Sequence, residues 1–177
     1  ETADGSMPLL APMSTIAGQL AFVVGSYHLL KHNKGKGVMI GHMDDMDPRV
    51  VTVIGAGVAG TQSILKAIDN KALVKVVDSS QSKLDDLKSK YGTENVEYIL
   101  SSKDSIQVSV NESDLVIGSV YVVGKEAPKV VTKDMLSSMN PGTVMVDVSI
   151  DQGGCFETSK PTTHDSPTFL ENEIVHY

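Results

Sequence analysis

From Val50 onward, short apolar runs rich in Val and Ile alternate with helix-compatible segments, and that alternation leaves few folds open. "VVTVIG" (50–55) reads as a strand, followed by a helix over 58–69 with Val58, Ile64, Leu65 and Ile68 apolar. "LVKVVD" (73–78) is a second strand, and residues 80–91 form a polar helix carrying Leu84 and Leu87. "VEYIL" (96–100) and "SDLVIGSVYV" (113–122) give a third and a fourth strand. A short helix over 132–139 presents Met135, Leu136 and Met139 before a fifth strand, "GTVMVDVSI" (142–150). "EIVHY" (173–177) is a sixth. Apolar runs this continuous suit strands buried on both faces, and strands separated by helices pair in parallel through crossovers. The expected fold is α/β, a doubly wound parallel sheet with right-handed crossovers and helices on both faces.

The first strand runs into "GAGVAG", so Gly55, Gly57 and Gly60 stand as G-x-G-x-x-G between a strand and a helix. That context gives the motif its meaning. Gly55 permits a tight turn, Gly57 lets a diphosphate approach the backbone, and Gly60 lets the helix pack against the sheet. Unpaired amides at the helix start then favour the anion without a basic side chain. Asp78 closes the second strand at the distance where a carboxylate meets the adenosine ribose hydroxyls. The same charge repels a 2′-phosphate, which favours NAD over NADP, although Lys83 lies close enough in sequence to soften that repulsion. Asp78 is also placed to cap the helix over 80–91, and the two roles are compatible. The region thus reads as a Rossmann-type dinucleotide-binding domain. Ligands of such sheets sit beyond the carboxyl ends of the strands, so "GSVYVVG" and "SIDQGG" point toward a nicotinamide.

At that second strand end, Asp151 follows Ile150 and precedes Gln152, Gly153 and Gly154. A carboxylate here either caps a turn or lies beside a reactive ring, with two glycines leaving room for it.

Residues 5–30 contain no Asp, Glu, Lys or Arg, which raises the question of a membrane span. Pro8 and Pro12 interrupt the first part, and Gln19, Ser26 and His28 the rest. The better reading is a buried helix over 15–31 with Ser14 as its N-cap. Ile16, Leu20, Val23, Val24, Tyr27 and Leu30 form its apolar face, while Ala17, Ala21 and Gly25 make a ridge of small residues that admits a second backbone. The connector over 32–49, with "VMI" as a possible short strand, carries His42, Asp44, Asp45 and Asp47; without ligand spacing these read as a solvated acidic loop, and no metal is expected.

A net charge of −7 argues against nucleic acid as the main partner. The lone Cys155 fits a reducing compartment, and having no evident base nearby it reads as a packing thiol. The start at Glu1, without Met, reads as a fragment of a longer protein.

"IDQGGCFETSKPTTHDSPTF" (150–169), "PLLAPMSTIAGQLA" (8–21) and "GKEAPKVV" (124–131) together resemble bacterial alanine dehydrogenases, across essentially the whole chain. The "IDQGG" and "PTTHD" strings are more specific than the glycine motif. The nucleotide-binding subunits of proton-translocating transhydrogenases are similar in "MSxIAG" and the glycine loop but usually lack "DQGG". The resemblance implies reversible, NAD-dependent oxidative deamination of L-alanine to pyruvate and ammonium, in a cytoplasmic homohexamer; from the charge and the helix reading, no nucleic-acid or membrane partner is expected. It divides the chain into an entry segment, interdomain helix and connector over 1–49 and a dinucleotide-binding domain over 50–177. A catalytic substrate domain, bearing an Arg for the substrate carboxylate and a Lys and a His for its carbonyl, is implied to lie outside this fragment. Carried over, Ser14 would contact the cofactor phosphates, Asp78 the ribose and Lys83 the adenine. Val120 and Val148 would pack near the nicotinamide ribose and ring, and Asp151 would be the acid at the reaction centre. Hydride loss from alanine leaves an iminium that water attacks before ammonia departs, steps that need proton transfer and support for a passing positive charge. His164 reads instead as a loop or packing residue, and His176 lies in the last strand.

The chain departs from the family where "GHMDDMDP" (41–48) replaces a Gly-Gly-x-Pro-Gly string and where Val123 replaces a proline before Gly124. Two other readings are the nucleotide-binding module of a transhydrogenase, which passes hydride to a partner, and a related amino-acid dehydrogenase with another substrate.

Overall fold

The computed structural model describes residues 8–41, 46–122 and 124–177. His42, Asp44, Asp45 and Val123, singled out above, lie outside them. Among the described residues β1 (Val50–Ile54), β2 (Leu73–Asp78), β3 (Val96–Leu100), β4 (Leu115–Gly118), β5 (Val144–Asp147), β6 (Phe169–Glu171) and β7 (Ile174–His176) form one sheet in the order β3-β2-β1-β4-β5-β7-β6. All pairings are parallel except β6 with β7. β1 is central, with Val53 paired to Val76 of β2 on one side and to Ile117 of β4 on the other. Chain order therefore reverses between β1 and β4, which opens a crevice at their carboxyl ends.

The period-two alternation of the strands divides the core. Val51, Val53, Leu115, Ile117, Val144 and Val146 face one layer, with α1 (Ala11–His28), α2 (Val58–Asp69) and α3 (Gln81–Tyr91) packed on that side. Ile54, Val116 and Met145 face the other, against α4 (Lys103–Glu112), the 3-10 segment Lys133–Ser138 and Phe156. Both faces are dry because the helices cover both, as the apolar runs require.

Five expectations change. The first helix begins at Ala11, not after Ser14: Pro12 occupies its first turn, where an N–H would be unpaired in any case, and the Ser14 amide already bonds the Leu10 carbonyl at 3.0 Å. Its buried side is also different. Gly18, Ala21, Phe22, Gly25 and His28 face inward, whereas Ile16, Leu20, Val23 and Tyr27 stand more than half exposed. Small residues win the inward side because the approach is too close for larger ones: a Cβ on Gly18 would sit 2.0 Å from the Ala59 carbonyl oxygen of α2. α4 is an additional helix, started by a capping box between Ser102 and Ser105 and held down by Ile106 and Val110. The last strand is one arm of a hairpin, β6–β7, turned by Asn172 and Glu173 with φ of 49° and 62°. Residues 38–40 are not a strand, though Ile40 is buried in the core.

Candidate functional site

At the carboxyl end of β1 the chain turns at Gly55, whose φ of +98° and closeness to the Ser119 carbonyl, 2.6 Å from a Cβ placed there, admit only glycine. Gly60, in the first turn of α2, is equally constrained, since its Cβ would lie 1.8 Å from the Gly55 oxygen. Gly57 differs. Nothing lies within 4 Å of a Cβ there, and it stands at the N-cap of α2 with no side chain closing the helix end. The N-terminus of α2 is thus uncapped and open at Gly57, as a diphosphate requires. Ser119, just beyond β4, braces the loop by donating its hydroxyl to the Gly55 carbonyl at 2.7 Å. Sequence reading did not single out Ser119; its position directly after a strand bordering the switch point is the signal that could have found it.

Asp78 ends β2 beside that loop and is 7% exposed. One carboxylate oxygen accepts from the Ala56 amide at 2.7 Å and the other from the Ser80 amide at 2.8 Å. The N-cap of α3 is Ser80, whose hydroxyl accepts from the Lys83 amide, so Asp78 is not the cap. The Lys83 side chain is exposed on the first turn of α3. A carboxylate offers about four acceptor positions, and the chain's own amides take two. Asp78 therefore keeps acceptors free at the crevice, and the loop, the helix end and the acid fit a dinucleotide.

Val120 and Val148, both half-buried, lie past the ends of β4 and β5. The Val148 amide bonds the Gly118 carbonyl at 2.8 Å, and the Ser149 hydroxyl bonds the Val120 carbonyl at 2.8 Å, which joins the two strand ends. Asp151 follows on the 3-10 turn Ile150–Gln152, exposed, in a cleft shared with Gly124, Lys125, Glu126, Gln152 and Gly153. Ser14 lies one turn ahead of Gly18, whose contact with Ala59 sets the start of α1 alongside the first turn of α2. Parallel pairing thus brings the glycine loop, Asp78, Val120, Val148 and Asp151 to the carboxyl-end side of the sheet.

A second carboxylate, which sequence reading passed over, sits beneath that turn. Asp147 closes β5 and is 8% exposed. It accepts from the amides of Ser149, Cys155 and Phe156 at 3.0, 2.8 and 3.2 Å and from the Ser159 hydroxyl. Cys155 is fully buried over Gly118, and burial together with the Asp147 charge raises its thiol far above the usual range. It is a packing group. His176 is buried too, stacked on Phe169 with ring centroids 4.8 Å apart, and its nitrogens meet Thr158 and the Ile174 carbonyl. His164 is exposed in the loop before β6. Among the described residues no group of three or more His, Cys, Asp or Glu is gathered as a metal site, and no helix is long and apolar enough to cross a membrane.

The glycine turn, the acid closing β2 and the crevice between β1 and β4 define a dinucleotide-binding domain of the Rossmann type. More narrowly, the chain belongs to the family described as "Alanine dehydrogenase/PNT, C-terminal domain", whose model matches residues 21–177. It is 47% identical over 174 residues to an alanine dehydrogenase of Halomonas elongata, covering 98% of this chain and 47% of that protein. It is 46% identical over 178 aligned positions to an alanine dehydrogenase of Mycobacterium tuberculosis, covering 100% of this chain and 47% of that protein. This chain thus spans about half the length of the relatives it matches. A solved L-alanine dehydrogenase superposes on all of it with a TM-score of 0.96 at 39% identity, over 49% of that chain. A transhydrogenase from Sinorhizobium meliloti superposes over 94% of this chain and 47% of its own with a TM-score of 0.79 at 23% identity, a likeness of fold alone.

Proposed function

We propose that this chain is the NAD-binding part of an alanine dehydrogenase, whose full-length form deaminates L-alanine reversibly to pyruvate and ammonium. The observation that carries the reading is the placement of Asp151, which stands exposed on the glycine-flanked turn beyond β5, on the same carboxyl-end side of the sheet as the glycine loop and Asp78. NAD, when bound, supplies the hydride acceptor. The chain's own residues do the rest of the work assigned to this half. The α2 amides hold the diphosphate, with Ser14 beside them, and Asp78 accepts from the ribose hydroxyls while Lys83 lies by the adenine. Val120 and Val148 give the nicotinamide end an apolar floor that excludes water. Asp151 takes up and returns protons as water adds to the iminium carbon and ammonia leaves, and its negative charge supports the cation in between.

The groups that grip the substrate carboxylate and carbonyl come, on this reading, from a further domain of the full-length protein. The exposed apolar row Ile16, Leu20, Val23 and Tyr27 on α1 supports a covering protein surface there, in keeping with the homohexamer the resemblance implies. A buried, unpaired cysteine accords with a reducing, cytoplasmic setting.

Assay of the full-length protein with NAD and L-alanine, and in reverse with NADH, pyruvate and ammonium, tests the proposal. Asp151→Asn is expected to cut turnover strongly while NADH binding stays intact. No turnover with these substrates, combined with hydride exchange to a second nucleotide-binding protein, would replace the reading with that of a transhydrogenase module.

A further inference from the structure

The turn that carries Asp151 has little of its own to hold it. Gly153 and Gly154 both take positive φ, 85° and 76°, so two adjacent joints are of the residue type with the widest conformational freedom. Within the turn the bonds are backbone only: Gln152 and Gly154 amides to the Ser149 carbonyl at 2.9 and 3.0 Å, and Gly153 to Ile150 at 3.1 Å. Two charged side chains from outside complete it. On the inner side Asp147 gathers amides from both ends of the turn, Ser149 before it and Cys155 and Phe156 after it. On the outer side the Lys129 ammonium donates to the carbonyls of both glycines, Gly153 and Gly154, the latter at 2.7 Å.

The placement of Lys129 follows from the segment it rides on. Residues 127–131 run beside the turn and the chain leaving it, tied by Ala127 to the Gln152 carbonyl at 3.0 Å, Val130 to Cys155 at 2.8 Å and Glu157 to Val131 at 2.9 Å. Val131 and Phe156 form a parallel bridge and are both fully buried. Lys129 sits midway along this ladder, so its stem starts from a fixed backbone while its head reaches the two glycine carbonyls. An anion on the amide side and a cation on the carbonyl side each meet the favourable end of the peptide dipoles, and charge-assisted bonds are the stronger kind.

We propose that Lys129 is a positioning residue for Asp151. Its ammonium closes over the outward carbonyls of Gly153 and Gly154, while Asp147 holds the amides on the inner side, and this fixes the direction in which Asp151 meets the reacting carbon. This rests on Asp151 as the acid at the reaction centre. It adds that a lysine remote from the substrate decides whether that acid is in place.

The test uses the full-length protein with Lys129→Met, which keeps the stem and removes the charge, Lys129→Arg, and Asp151→Asn. In Lys129→Met, amide hydrogen exchange over residues 150–156 should quicken. Its kcat with L-alanine should fall about ten- to a hundredfold, the range for a small misplacement of a reacting group. NADH affinity by fluorescence titration and Tm should hold, because neither depends on this turn, and Lys129→Arg should restore most of the rate. Unchanged exchange in Lys129→Met overturns the proposal. So does faster exchange with undiminished kcat, or a fall in kcat matched by equal loss of NADH affinity or Tm. The functional reading fails separately: a wild-type protein inactive with alanine, or an Asp151→Asn variant as fast as wild type, removes the acid that Lys129 is said to position. An impaired Asp151→Asn beside an unaffected Lys129→Met leaves that reading standing and overturns the positioning role alone.

Discussion

The Asp78 carboxylate accepts the Ala56 amide at 2.7 Å, so the acid that closes β2 also holds the middle of the glycine turn that follows β1. One side chain thereby sets the spacing between the end of β2 and the glycine turn, which on the proposed function are the ribose and diphosphate ends of the crevice. Asp78→Ala removes the acceptor proposed for ribose and leaves the buried Ala56 amide unpaired. NAD affinity should fall by about 1–3 kcal/mol, with a loss of stability alongside it. Calorimetric titration of NADH into the variant, beside thermal unfolding, checks both; unchanged affinity would remove Asp78 from the ribose site.

The glycines of the loop separate into two kinds, and substitution should tell them apart. A methyl on Gly60 would lie 1.8 Å from the Gly55 oxygen, which is backbone and cannot swing away. Gly60→Ala should therefore destabilise the fold by about 1–3 kcal/mol or more, as overpacking does. A methyl on Gly57 meets nothing in the chain, so Gly57→Ala should unfold near the wild-type temperature. It should nonetheless bind NADH poorly, because the methyl takes the space through which a diphosphate would approach. Thermal melts with and without NADH on the two variants decide this, and equal behaviour of the pair would count against the assignment of the loop.

How much of this was legible beforehand follows from where the physics is local. The strands and the glycine turn were readable because buried β-branched runs and a steric need for Gly55 and Gly60 are written at single positions. The face of α1 was not. Ile16, Leu20, Val23 and Tyr27 make an apolar stripe, and a stripe ordinarily turns inward; here Gly18 and Gly25 turn inward, because α2 and the sheet approach too closely for larger residues. Only the partner surfaces decide that competition. α4 has a weak sequence signature: Val108 and Val110 are β-branched, and the Ser102–Ser105 capping box that starts the helix has serine in place of the usual Glu or Gln. The β6–β7 turn hides behind Asn172-Glu173, which adopts the positive φ values that Asn-Gly usually advertises. Asp151 stood out by its neighbours; Lys129 and Asp147 did not, since both act through bonds to backbone atoms, those of Lys129 some two dozen residues away.

Stability should fall on mild acidification. Burial lowers the pKa of His176, and burial together with His32 lowers that of His28, both from an ordinary 6.5. A base whose folded pKa is depressed binds fewer protons folded than unfolded between the two values. Its contribution is therefore full above the unfolded pKa and is lost as pH drops through the folded one. Tm of the full-length protein should hold between about pH 7 and 8 and decline below about pH 6.5. His28→Leu and His176→Phe should each flatten that decline; an unchanged slope in both would place the acid sensitivity elsewhere.

Cys155 provides a reporter on the turn that carries Asp151. Its thiol is fully buried against Gly118, and burial first, then the Asp147 charge, raises its pKa far beyond the range in which a thiolate forms. The nucleophile is the thiolate, so reaction with a thiol reagent requires the segment to open. In native protein at pH 8 Cys155 should modify only slowly, at a rate that rises with denaturant. Lys129→Met should speed the modification without denaturant, because the glycine carbonyls outside the turn lose their cation. Fast modification of wild-type protein would mean that the Asp147 bonds to the Cys155 and Phe156 amides open readily, and that the turn under Asp151 is looser than its geometry indicates.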